Sequence, residues 1–299
     1  MATLEELSHR IEVAGDLQSV VRTMKTISAV AIRQHELAER AMSRYLENVE
    51  MGLQVALRDL GDSVAGAKAP AGNGVAVVVV GSEIGLCGGF NDQVASFTME
   101  SLRESGDGPD KRRVLTIGAR ADAAWRADAE PPAAHQEAPA TVDALTRTVG
   151  AVLTRLDQWR AQHDTVRLDL FHHLPKPQGG TALVRRRLLP IDPARLQELR
   201  ARPWDSRRLP VSTGAPQALF GQLVRQLVFA RVAMAIMQSR TAEHGERLAA
   251  MQAADRSIAD KIEALRFEYR LLRQNVITSE LLDIMSGYEA IMSDSTEPR

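Results

Sequence analysis

Glycines crowd the segment Gly81, Gly85, Gly88, Gly89, directly after the apolar run Val75 to Val80. In an α/β protein that is where backbone amides at a helix N-terminus cradle phosphate. The spacing is wrong for it: there is no G-x-G-x-x-G, and no lysine followed by Ser or Thr as a P-loop requires. The segment reads as a strand-to-helix turn. Cys87 within it is the sole cysteine, which excludes an intrachain disulfide and a cysteine-based zinc site and fits a reducing compartment. It reads as a small buried hydrophobe. His172-His173 ends a strand-like stretch with no carboxylate or thiol at metal-ligand spacing. Arg185-Arg186-Arg187 offers cations to phosphate, but a run of charge on one strand reads first as a solvated sheet edge. No acid, base, nucleophile and oxyanion donor fall into one constellation. The expectation is a non-catalytic chain without cofactor or metal.

Composition points the same way. The 37 basic and 38 acidic residues leave a formal net charge of -1, so no global field recruits nucleic acid or an anionic membrane. Apolar residues at 44% and charged residues at 25% fit a folded, soluble chain. The opening MATLEELSHR resembles neither a secretory signal nor a transit peptide, and Val75 to Val80 is far too short to span a bilayer.

The elements that must position these residues divide into three segments. From Thr3 to about Leu60 there is no proline, and apolar residues return every three or four positions, predicting one long helix. Thr3 and Glu6 have capping-box spacing. The apolar face runs Leu4, Leu7, Ile11, Ala14 and, after a three-residue step beside Gly15 and Asp16, Leu17, Val20, Met24, Ile27, Ala31; the step predicts a shift of the buried face. Residues 61 to 74 read as a linker. Strands are expected at Val75 to Val80, Arg113 to Gly118, Thr165 to His172 and Thr181 to Leu189, with helices at Asn91 to Glu104 and Val142 to Gln162. Asp128 to Ala140 reads as a surface loop. That order gives a small α/β domain with a mostly parallel sheet.

From Pro216 to Met292 alternating steps of three and four pass through Phe220, Leu223, Leu227, Ala230, Met234, Met237, Thr241, His244, Leu248, Met251, Asp255, Ile258, Ile262, Leu265, Tyr269, Leu272 and Val276. A helix of that length reaches on the order of 100 Å and needs an equally long partner. The expected architecture is a long antiparallel coiled coil of the N- and C-terminal helices, residues 1–60 with 216–292, plus an α/β lobe at 75–205. Met234, Met237 and Met251 read as core.

The segment Ile277-Thr278-Ser279-Glu280-Leu281-Leu282-Asp283-Ile284-Met285-Ser286-Gly287 resembles the C-terminal signature of F-type ATP synthase gamma subunits. Glu243, Arg247, Met251, Ala254, Tyr269, Arg273 and Gln274 fall at positions that family fills alike, and Thr23-Met24-Lys25 is similar to a step in its opening helix. Gly81 to Asn91 resembles its Ser-Asp-x-Gly-Leu-Cys-Gly-x-x-Asn loop, with Glu83 in place of the aspartate, and Trp204-Asp205 matches a family dipeptide. Tyr288, where the family has alanine, together with Ser19 and Val21 suggests a divergent branch. The resemblance implies a central-stalk rotor of the F1 sector that couples ion flow to conformational change. Its partners would be the hexamer of alpha and beta subunits, the epsilon subunit and the membrane c-ring, at the cytoplasmic face of a bacterial inner membrane without insertion into it. Met24, Lys25, Arg273, Gln274, Thr278 and Glu280 would touch the stator; otherwise the last four are a solvated helical face. Two further readings stand beside this one: a nucleotide-binding α/β enzyme with helical dimerisation arms, and an unrelated coiled-coil adaptor.

Overall fold

The computed structural model describes residues 3–61, 72–162, 165–176, 178–204, 207–208, 210, 212 and 215–294, with the side chains of 287–294 excepted. Most of the expected linker and Asp205 lie outside the described residues. In chain order the elements are α1 Leu4–Leu60, β1 Gly74–Val80, α2 Phe90–Glu104, β2 Arg112–Ile117, α3 Ala119–Asp128, β3 Ala134–Gln136, α4 Leu145–Gln162, β4 Thr165–Pro175, β5 Thr181–Leu189, α5 Pro193–Ala201 and α6 Pro216–Asp294. Two compact units divide them, one of residues 28–248 and one of residues 1–27 with 249–299.

The larger unit is built on a five-stranded sheet in the order β3-β2-β1-β4-β5. β1 pairs in parallel with β2 and β4, β2 pairs in parallel with β3, and β4 pairs antiparallel with β5. β1 is central, so its alternating side chains serve two cores. Ala76, Val78 and Val80 face Val149 and Val152 of α4 and Val232, Ile236 and Met237 of α6. Val75, Val77 and Val79 face Val94 and Leu102 of α2, Trp125 of α3 and Phe171 of β4. Residues 232–239 of α6 are consequently buried all round. A window of α6 is long and apolar enough to cross a membrane by length and composition alone, with a mean hydropathy of 1.4, and 44% of it is buried inside the protein. In this unit α1 lies antiparallel to α6: His35 stacks on His244 at 5.4 Å, Gln238 donates to Glu39 at 2.8 Å, and Tyr45 bonds Gln226. Glu50 of α1 accepts from Arg231 of α6 at 2.8 Å and Arg195 of α5 at 3.3 Å, tying three helices.

In the smaller unit α1 begins with the expected capping box: Glu6 N–H donates to Thr3 Oγ1 at 3.2 Å and Thr3 N–H to Glu6 Oε2 at 3.0 Å. The α6 seam holds, with Met251, Ile262 and Leu265 buried and Ile258, Tyr269 and Leu272 half-buried. The α1 seam corrects the expectation. Leu17, Val20 and Ile27 are 55%, 54% and 59% exposed. Ala14 is followed instead by half-buried Gln18, Val21 and Lys25, so the three-four heptad continues without a three-residue insertion. The physical reason is that Gln18 and Lys25 are polar yet belong to the seam, where both bond Asp255 of α6.

The lobe also departs from expectation. Asp128 to Ala140 is not one surface loop: it contains the end of α3 and the edge strand β3, whose three residues pair Leu115↔Ala134, Thr116↔His135 and Ile117↔Gln136. Neither α3 nor α5 was expected. Three residues are too few to show a period of two, and α3 buries only Ala121 and Trp125.

Candidate functional site

The glycine-rich turn is fastened by its own polar groups. Asn91, one residue into α2, accepts from Ser82 N–H at 2.9 Å and donates to Ser82 Oγ at 2.8 Å. Glu83 accepts from the N–H groups of Ala138 and Ala119 at 3.0 and 3.3 Å, so its carboxylate caps the start of α3. Arg247 of α6 donates to the carbonyls of Ile84 at 2.7 Å and Gly85 at 3.1 Å, and Glu243 holds the same guanidinium at 2.6 Å. Carbonyl oxygens are thus drawn to a cation, the opposite of an amide cradle for phosphate. Gly81 serves packing, since a Cβ there would lie 2.5 Å from Ala121 Cβ and 2.7 Å from Asn91 Oδ1. Leu86 turns with φ of 64°, and its side chain is 55% exposed beside Ile84 at 63%. Cys87 is buried, and burial pushes its thiol pKa up, which withholds the nucleophilic thiolate.

The histidines are structural. His173 donates from Nε2 to the Phe90 carbonyl at 2.8 Å, accepts at Nδ1 from Thr181 at 3.3 Å, and stacks on Phe90 at 3.8 Å. His172 donates from Nδ1 to the His173 carbonyl at 3.0 Å. Burial lowers the pKa of both to about 4, so they are neutral at pH 7. Among the described residues no three or more His, Cys, Asp or Glu side chains form a group able to hold a metal ion. The arginine run is only partly a solvated edge. Arg185 donates to Asp169 at 2.8 Å and to Ser105 at 2.7 Å and lies over Phe171, while Arg187 is 3.5 Å from Asp169.

Of the residues expected at the stator, Met24 and Lys25 are half-buried on α1. Lys25 Nζ is 2.7 Å from Asp255, with Gln18 Nε2 at 3.2 Å and Arg22 Nε at 3.5 Å from the same carboxylate. The Lys25 hydrogen bond, foremost, lowers the Asp255 pKa. Arg273, Gln274, Thr278 and Glu280 lie on α6, and every described side chain from Arg273 to Ser286 is exposed. Thr278 Oγ1 donates to the Gln274 carbonyl at 2.8 Å. Among them Ile277, Leu281, Leu282, Ile284 and Met285 are 46% to 68% exposed. The structure therefore makes two groups rather than one: Asp255, which holds Lys25, is about 27 Å along the helix from Arg273 at 1.5 Å per residue. Sequence reasoning missed Gln18 and the role of Asp255; the available signal was the charge at Asp255 in an otherwise apolar seam, which calls for a polar group opposite.

A family described as ATP synthase matches residues 3–291. A protein called ATP synthase gamma chain from Granulibacter bethesdensis is 30% identical over 97% of this chain and 100% of its own length. One of the same name from Dinoroseobacter shibae is 26% identical over the same shares. Among solved structures, a chain of the Euglena gracilis mitochondrial ATP synthase, in an assembly of OSCP, F1 and c-ring, matches with a TM-score of 0.68 at 16% identity, covering 99% of this chain and 97% of that one. The rotor of the same enzyme gives 0.63 at 16% identity over 92% and 98%. At that identity the likeness is one of fold.

Proposed function

The chain belongs to the ATP synthase gamma family, and from that premise we propose that it is the non-catalytic rotor of the F1 sector, coupling ion flow through a membrane ring to conformational change at catalytic sites on other subunits. Its partners are the hexamer of alpha and beta subunits, the epsilon subunit and the c-ring, at the cytoplasmic face of a bacterial inner membrane. One observation carries the reading. From Arg273 to Ser286 every described side chain of α6 is exposed, so the helix presents Val276, Ile277, Leu281, Leu282, Ile284 and Met285 to solvent together with Arg273, Gln274 and Glu280. Exposed apolar side chains at that density mark an interaction surface. A surface that offers different groups at different angles biases three chemically identical sites unequally, through differential contact energy. The carbonyl-lined glycine turn, with its buried thiol and neutral histidines, weighs against a nucleotide enzyme.

Within this proposal Arg273, Gln274, Thr278 and Glu280 meet the stator, and Met24 and Lys25 contribute from α1, the lysine with its ammonium already shared with Asp255. Arg273, Ile277, Glu280 and Ile284 follow steps of three and four and share one face. A charge-assisted contact made at one rotor angle and lost at another is worth about 1.5 to 3 kcal/mol, a tenfold or larger change in occupancy. In the assembled complex, Arg273→Ala with Glu280→Ala is expected to slow ATP turnover severalfold while leaving subunit composition intact. Arg256→Ala, at an exposed position outside the signature, is the tolerant control. Wild-type turnover and coupling in the double variant would return these residues to a solvated face.

A further inference from the structure

We infer that Asp255, with Gln18 and Lys25, is a register clamp: a polar fork that fixes the axial setting of α1 against α6 within the unit formed by residues 1–27 and 249–299. Gln18 and Lys25 are one heptad apart on the α1 seam, and both reach the single Asp255 carboxylate, at 3.2 and 2.7 Å. Arg22 closes on it from the solvent side at 3.5 Å. The neighbouring seam positions are small or apolar: Leu7, Ile11, Ala14 and Val21 on α1, and Met251, Ile258, Ile262 and Leu265 on α6. Such layers repeat every seven residues and mesh almost equally well at several offsets. The fork does not. If α1 slid by one heptad so that Asp255 lay between Ile11 and Gln18, the carboxylate would exchange its 2.7 Å contact with Lys25 for an apolar isoleucine. Buried polar groups in a coiled coil contribute little to stability against an apolar pair, and their best-attested use is to specify register. Lys25 and Gln18 are thus positioning residues. They decide which α1 side chains, Met24 among them, stand level with which α6 side chains. The inference concerns distances inside one chain and is independent of the proposed function.

The test is a spin-label distance across the helix pair in the purified full chain, with Cys87→Ser as background and labels at Glu12→Cys and Asp260→Cys, both exposed positions. The parent is expected to give one narrow distribution. Lys25→Leu with Asp255→Leu replaces the fork by an apolar layer; it is expected to melt no lower than the parent, yet to broaden the distribution at least twofold. The nearly isosteric Asp255→Asn keeps a partner for Gln18 but loses the charge, and is expected to broaden it by a smaller factor. Parent-like distributions in both variants would overturn the clamp. If the leucine pair fails to fold, Asp255→Asn decides alone, and a parent-like width there overturns it.

Discussion

His172 sits wholly inside the lobe, and its ring has one donor committed to a backbone carbonyl. Burial, before any other cause, lowers the pKa of His172, His173 and His35 to about 4 and of His244 to about 3, from an ordinary 6.5; the Arg240 charge adds to the last two. Between about pH 6.5 and 4 the unfolded chain binds protons on these rings that the folded chain refuses. The stability they confer is therefore fully present above pH 6.5 and lost as pH falls toward 4, by up to about 1.4 kcal/mol per pH unit for each ring. Urea midpoints measured from pH 7 to 4.5 are expected to fall, and His172→Phe is expected to make that fall shallower. An unchanged slope would mean that His172 binds protons equally in the folded and unfolded chain. Reading residues in isolation located these rings but not their environment. Arg185 and Arg247 look alike in the sequence, yet one braces Asp169 and the other holds a turn by its carbonyls, a difference that exists only once strand and helix are packed.

Leu265 shows what the helix pair depends on. Its side chain is 3% exposed in the α6 seam, so Leu265→Asp places a carboxylate in a buried apolar layer, at a desolvation cost of several kcal/mol. The variant is expected to lower the melting temperature of the chain sharply and to abolish assembly into the complex; unchanged values would show that this stretch of seam bears no weight. The α6 seam was legible over nearly its whole length because its period of 3.5 is broken only by Thr241, His244 and Asp255. The α1 seam was not, because an apolar-only reading rejects Gln18 and Lys25 and selects the exposed Leu17 and Val20 in their place. β1 announced itself by valines buried on both faces, whereas β3 borrows its structure from β2 and carries no pattern of its own. The choice of Arg273, Gln274, Thr278 and Glu280 as contact residues rests on resemblance, since polar residues on a helix surface have no periodicity that distinguishes contact from solvation.

At the scale of the molecule, the glycine-rich turn at 81–89 directs the carbonyls of Ile84 and Gly85 to Arg247 and commits the Ser82 amide to Asn91, an arrangement that suits a cation better than a phosphate. Titration calorimetry of the full chain with ATP or a dinucleotide is expected to show no saturable heat; micromolar binding that vanishes on Gly85→Val or Gly88→Val would restore an enzyme to consideration. The division into units carries a different consequence, for biosynthesis. One unit consists of the first 27 residues and of everything from Ala249 onward, so the N-terminal half of α1 leaves the ribosome long before the stretch of α6 that matches it. About 220 residues must be added before its complement begins to emerge, roughly 10 to 45 s at ordinary bacterial elongation rates. Throughout that interval Leu7, Ile11, Ala14 and Val21 form an apolar stripe without its complement beside the exposed Leu17 and Val20, the kind of surface that makes a nascent chain prone to aggregate.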